Sequence, residues 1–256
     1  MRRRFVTFSG GLGAQVLSAA IYFDALESDA TIYADLRYFE QPPHVAQPGD
    51  GRISIWPWAL QGYGIEKEQF QSGIPRHFVD QRIVDGPEKA HLAYSALRKP
   101  GVQSTFPIPV TANAPDLPEL SKAVVIHLRR GDYVNVASYL VPDADSIEAA
   151  AAFAAFLPTV IVLSDSAVPD ASIRALQARF RHVIVPTDMS DIAAHGLMRR
   201  AGVLIASNSQ FSLSAALLRD AGLALLPGQW FGAGQEALES LAQSLTGFRM
   251  LKQVAP

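Results

Sequence analysis

Val124-Val125-Ile126-His127-Leu128-Arg129-Arg130-Gly131-Asp132-Tyr133 is the stretch from which the fold of this chain is read. Its first half, together with Ala123, is a short apolar run rich in β-branched residues. That is the pattern of a strand buried on both faces of a parallel sheet. The run then breaks into two adjacent arginines, a glycine, an aspartate and a tyrosine. Side chains alternate along a strand, so Val125, His127 and Arg129 point to one face and Ile126, Leu128 and Arg130 to the other. Carried to the strand's end, the alternation sets His127 and Arg129 on one face at the carboxyl edge, where open α/β sheets bind ligands. Two neighbouring guanidinium groups there call for an anion, because arginine stays charged and its rigid fork of donors matches phosphate or carboxylate. Gly131 lets the backbone turn sharply, and Asp132 can hold an arginine or reach a sugar hydroxyl. A surface ion pair is the plainer reading of Arg-Arg-Gly-Asp alone; the histidine ahead of it and the rest of the chain weigh against that.

Downstream, strands and helices alternate. A helix is expected over Asp143–Leu157, a strand over Thr159–Leu163 ending in Ser164-Asp165, and a helix over Ser172–Phe180. Then follow a strand at His182–Val185, a helix at Ser190–Arg200 and a strand at Val203–Ala206. Such alternation argues for a parallel sheet. Asp143-Ala144-Asp145 has the spacing of a metal-binding pair, but it precedes a helix and has Glu148 three residues beyond Asp145, which favours an N-terminal cap. Ser207-Asn208-Ser209 opens the next helix, which runs to about Arg219. Short hydroxyl and amide side chains there are ordinary caps and also ordinary phosphate ligands, since free N–H groups and the helix dipole converge. A strand at Ala224–Leu226, the loop Pro227-Gly228-Gln229-Trp230-Phe231 and a last helix at Gln235–Leu245 complete this half.

Upstream, a strand at Arg4–Phe8 runs into Ser9-Gly10-Gly11-Leu12-Gly13, followed by a helix from Ala14 to Glu27 and a strand at Thr31–Asp35. The glycine loop can bring backbone N–H groups to a phosphate or sugar, although Gly11-x-Gly13 lacks the third glycine of the dinucleotide fingerprint and a tight turn explains it as well. Trp56, Trp58 and Tyr63 can stack on a sugar ring, yet filling a core is the commoner role of such aromatics. Residues 72–106 read only as helix and loop. Pro107, Pro109, Pro115 and Pro118 bar helix and central strand alike, which marks a boundary between domains at 1–110 and 119–256.

The chain has 256 residues, 49% of them hydrophobic and 18% charged, so it has material for a packed core. Its formal charge of −2 argues against a nucleic-acid partner. The absence of cysteine excludes disulfides and thiolate chemistry and suits the cytoplasm. No stretch is long and apolar enough to span a bilayer. Met1-Arg2-Arg3-Arg4 reads as a solvated leader, with peripheral attachment at the inner membrane as the alternative.

The motifs GGLGAQ at 10–15, HLRRGDY at 127–133, LSD at 163–165, ASNSQFS at 206–212 and PGQWF at 227–231 occur in this order in the α-1,2-fucosyltransferases. The chain resembles that family and, more distantly, the α-1,6- and O-fucosyltransferases. The resemblance implies a GT-B-like α/β architecture with two Rossmann-like domains facing a central cleft. The N-terminal domain would be the acceptor side and the C-terminal domain the GDP-sugar side, with the last helix crossing back. The implied reaction is inverting transfer of fucose from GDP-fucose to a saccharide hydroxyl, α-1,2 to a galactoside. The partners would be a GDP-sugar donor and an oligosaccharide or glycan acceptor.

By that resemblance Arg129 holds the β-phosphate with Arg130 in support, and His127 and Asp165 lie by the nucleotide, Asp165 accepting from guanine. Ser207, Asn208 and Ser209 meet the phosphates, and Gly11 and Gly13 close the site from the other domain. Asp132 is a candidate for the base by its position, with orienting Arg129 or binding the acceptor as the alternatives. Arginines and helix N–H groups can stabilise the departing diphosphate, so neither metal nor cofactor is expected. Ala14 stands where the family has asparagine, and Leu213-Ser214 replaces an aromatic pair. Transfer of another GDP-sugar, or sugar-nucleotide binding without turnover, are the alternatives.

Overall fold

The computed structural model describes residues 4–28, 31–44, 54–74, 81–83, 87–109, 119–131, 133, 139–219, 221–228 and 248–250. The chain divides into two compact units, Met1–Pro109 and Val110–Pro256. Each holds a parallel sheet with helices, as the α/β expectation requires.

The first unit runs β1 (Arg4–Thr7), α1 (Leu12–Glu27), β2 (Ile32–Asp35), β3 (Gln81–Ile83), α2 (Pro87–Ala96) and α3 (Pro100–Ser104). Its strands lie in the order β2-β1-β3, all parallel. Every residue of α1 from Leu12 to Tyr22 is buried, which explains why no narrow apolar stripe shows in its sequence: a helix apolar all round is a core helix. Its buried Gln15 and Ser18 side chains are both hydrogen-bonded. Ser18 donates to the carbonyls of Thr7 and Ala14, and Gln15 bonds the loops described below. Phe70 packs against Tyr22 at 4.8 Å and Phe8 at 4.9 Å, with Trp58 5.6 Å away, so Trp58 belongs to the core. Tyr63 is likewise buried. Trp56 is only half-buried. The strand β3 has no counterpart in the sequence reading, because three residues with one buried apolar side chain give no period to detect.

The second unit runs β4 (Ala123–Leu128), α4 (Asp143–Ala151), β5 (Thr159–Ser164), α5 (Asp170–Gln177), β6 (His182–Ile184), α6 (Asp191–Arg200), β7 (Val203–Ile205), α7 (Gln210–Leu217), β8 (Leu223–Leu226) and β9 (Phe248–Met250). The strand order is β6-β5-β4-β7-β8-β9, every pair parallel. All six residues of β4 are buried, as its apolar run requires of a central strand. Val124, Ile126 and Leu128 join Ala150, Leu176 and Phe180 in one core layer beneath α4 and α5. His127, on the opposite face, meets α7 through Phe211. Helices therefore cover both faces, and burial of each large aliphatic side chain contributes about 2 kcal/mol.

α4 stops at Ala151, short of the expected Leu157, and continues as irregular turns that leave Phe156 83% exposed. Pro158 cannot donate to an extended helix, and Phe153 and Leu157 reach the core without one. The stretch 110–118, the loop 229–231 and the expected helix at Gln235–Leu245 lie outside the described residues.

Candidate functional site

In the second unit the chain moves outward from β4 to β5 and β6, then returns to the other side of β4 with β7. The order reverses between β4 and β7, so their carboxyl ends frame the crevice where such sheets take ligands. His127 and Ser207 span that point: His127 Nδ1 and Ser207 Oγ are 2.7 Å apart. Burial, with the nearby Arg129 charge, pushes the His127 pKa down to about 3. The ring is therefore neutral at working pH and acts as a fixed hydrogen-bond partner. His195 also packs against the Phe211 ring, 5.3 Å away; it is equally buried, bonded to Ser214 Oγ at 3.0 Å, and pushed down to about 3 by burial first and the charge of Arg199 second.

Leu128 pairs with Ser164 in register, so the next residues, Arg129 and Asp165, meet across the strand ends. Arg129 Nη1 lies 2.7 Å from Asp165 Oδ2, with both side chains roughly one-fifth exposed. The other carboxylate oxygen accepts from the backbone N–H groups of Arg130 (2.8 Å) and Gly131 (3.1 Å). Three donors thus converge on one carboxylate. A Cβ on Gly131 would stand 2.6 Å from Asp165 Oδ2, so glycine is needed for this approach. The Arg129 guanidinium also lies over the Tyr133 ring, 5.0 Å from its centre. Asp165, expected beside the nucleotide base, here ties the arginine loop to β5.

Arg130 points elsewhere. Its Nη1 is 2.5 Å from Asp143 Oδ1, while Asp143 Oδ2 accepts from Ser172 Oγ at 2.7 Å. This corrects the capping expectation at Asp143–Glu148: the residue before α4 is Pro142 and no side chain caps the helix. Sequence spacing cannot separate an aspartate that caps a helix from one that reaches back to Arg130. Among the described residues no group of three or more His, Asp or Glu is placed to hold a metal.

Ser209 caps α7, accepting from the Phe211 N–H at 3.2 Å. Asn208 donates to the Tyr139 carbonyl at 3.2 Å, and Ser212 Oγ accepts from the Ser207 N–H at 3.2 Å. These bonds hold the turn between β7 and α7 in shape beside Arg129's strand. Asp191, in the first turn of α6, was not singled out in the sequence; partial desolvation raises its pKa while the Arg129 charge opposes that shift. Asp132 lies outside the described residues.

No family model matches this chain, and no curated protein matches it. Solved structures match it at low identity. POFUT1 in complex with GDP-fucose is 11% identical, with 86% of this chain and 94% of that chain covered and a TM-score of 0.47. The E. coli heptosyltransferase WaaC with ADP is 13% identical over 94% of this chain and 99% of that one, at TM-score 0.43. The NodZ alpha-1,6-fucosyltransferase soaked with GDP-fucose is 15% identical over 86% and 93%, at TM-score 0.39.

In the first unit Gly10, with φ of 71°, takes a conformation that favours glycine, and Gly11 is the N-cap of α1 without a side-chain cap. Gly13 is buried inside α1. Gln15 holds the loop: its Nε2 donates to the carbonyls of Gly10 (2.8 Å) and Pro57 (2.9 Å), and its Oε1 accepts from the Ala59 N–H (2.8 Å). No helix among the described residues is long and apolar enough to cross a membrane.

Proposed function

We propose that the chain is an inverting glycosyltransferase that moves fucose from GDP-fucose to a saccharide hydroxyl, α-1,2 to a galactoside. The observation that carries this is the gathering of Arg129 and the start of α7 at the carboxyl ends of β4 and β7. Breaking a sugar–phosphate bond leaves a diphosphate with growing negative charge, and preorganised donors at that place lower the barrier. Arg129 would hold the β-phosphate, Arg130 would stiffen the strand end through Asp143, and Ser207, Asn208 and Ser209 would shape the phosphate turn. Neutral His127 positions Ser207. Buried and held neutral, His127 would serve poorly as the acceptor's base, and Asp132 is our assignment for that role. Because guanidinium and N–H groups can neutralise the leaving group, the reaction would run without metal.

The test is calorimetric titration with GDP-fucose and GDP-mannose, with GDP release measured against a galactoside panel. GDP-fucose binding with release only in the presence of a galactoside supports the reading. Binding of GDP-mannose alone would replace the donor, binding without release would reduce the protein to a sugar-nucleotide binder, and no binding refutes it.

A further inference from the structure

The first unit has its own point of reversal. From β1 the chain passes through α1 to β2 on one side, and it returns as β3 on the other, so the β1 and β3 carboxyl ends frame a second crevice. Asp35 ends β2 and is almost fully buried; burial opposes its charge, but the bonds from Arg37 hold its pKa low. Arg37 satisfies this carboxylate alone, giving Nε to Oδ1 at 2.8 Å and Nη2 to Oδ2 at 2.7 Å. Yet Arg82, from β3, reaches over the end of β1 to the same carboxylate, 3.2 Å from Oδ2, and touches Thr7 Oγ1 at 3.4 Å on the way. Lys89 adds a third cation, its Nζ 3.1 Å from the Thr7 carbonyl. A second guanidinium is more than the buried carboxylate requires. Glu40, the other carboxylate in electrostatic reach of Arg37, is not hydrogen-bonded to it.

Both arginine side chains stay nearly half exposed, at 43% and 46%. Each uses Nε and Nη2 inward, and neither Nη1 makes a hydrogen bond among the described residues. Asp35 thus fixes two forks with their outer edges turned to solvent, the arrangement that suits an incoming carboxylate or phosphate at small entropic cost. The same edge carries a flat apolar face. The half-buried Trp56 ring lies against Gly11, 3.8 Å from where a Cβ would be, and the Trp56 backbone N–H donates to Tyr38 Oη, next in sequence to Arg37. Gln15 pins Pro57 behind it.

We infer that this edge of the first unit is a binding site for an acidic saccharide, with Arg37 and Arg82 taking its carboxylate or phosphate and Trp56 stacking on a sugar ring. The inference rests on the glycosyltransferase reading only in naming that saccharide the acceptor. Sugar acids and sugar phosphates present the same anion to the two forks, so the site is defined by charge on a pyranose.

The experiment titrates the full chain at low salt with a galacturonate disaccharide, its neutral galactose counterpart, galactose 6-phosphate and inorganic phosphate. Either charged sugar should bind about tenfold or more tightly than the neutral one, the size of one charge-assisted hydrogen bond, and added salt should erode the preference. Arg82→Gln should reduce the preference severalfold while Arg82→Lys retains part of it, with circular dichroism confirming that each variant folds. Equal affinity for charged and neutral sugars, or an undiminished preference in Arg82→Gln, overturns the inference. Inorganic phosphate binding as tightly as the charged sugars overturns its saccharide part. GDP-fucose titrated separately keeps the two claims apart: loss of donor binding refutes the transferase reading and leaves the acidic-sugar preference standing.

Discussion

Removing the Asp165 carboxylate should loosen the arginine strand end in two measurable steps. Asp165→Asn keeps an oxygen for the Arg130 and Gly131 N–H groups but gives up the charge that faces Arg129 Nη1 at 2.7 Å. With both side chains partly exposed, that pair is worth about 0.5–1 kcal/mol. Asp165→Ala removes the other two bonds as well; water can replace them in part, so each adds about 0.5–1 kcal/mol and the total comes to about 2 kcal/mol. Chemical denaturation should therefore rank wild type above Asp165→Asn above Asp165→Ala. The effect on ligand follows from the same geometry. A guanidinium no longer held in one rotamer must be ordered on binding, a cost of about 0.5–1.5 kcal/mol. GDP affinity should then fall about three- to tenfold in Asp165→Asn. Gly131→Ala attacks the tie from the other side, since its methyl would meet the same carboxylate at 2.6 Å, and it should resemble Asp165→Ala. If all three variants match wild type in stability and in GDP affinity, the convergence on Asp165 plays no part in either.

His127 and His195 are both depressed to about 3 from an ordinary 6.5. The unfolded chain therefore takes up protons that the folded one refuses. Stability is complete above pH 6.5 and falls as pH drops toward 3, by about 1.4 kcal/mol per pH unit for each ring; His195→Gln should halve that contribution to the slope between pH 4 and 6, and an unchanged slope contradicts the burial argument. Transfer activity should survive a chelator, and activity lost on chelation and restored by a divalent ion would contradict the arginine-based leaving-group stabilisation.

What the sequence disclosed depended on the range of the interaction. The β4 run and its break into Arg129-Arg130 were legible because strand burial and alternation are local, and so was the cap at Ser209, where side chain and backbone lie two residues apart. Asp143 was misread because its partners, Arg130 and Ser172, are thirteen and twenty-nine residues away. The Asp35–Arg37–Arg82 group escaped notice for the same reason: β3 gives too short a signal to place Arg82 beside β1. Gln15 showed the opposite ambiguity. It stands within the GGLGAQ run read as a ligand loop, yet its amide is spent on joining the glycine loop to Pro57 and Ala59.

The charge clamp at the β4 strand end stands or falls by GDP titration of the wild-type chain beside Arg129→Ala. Saturable binding by the wild type, weakened about ten- to a hundredfold in the variant, is the expected result for the loss of a charge-assisted phosphate contact. A wild type indifferent to GDP, or a variant that binds it equally well, would contradict a diphosphate site built on Arg129.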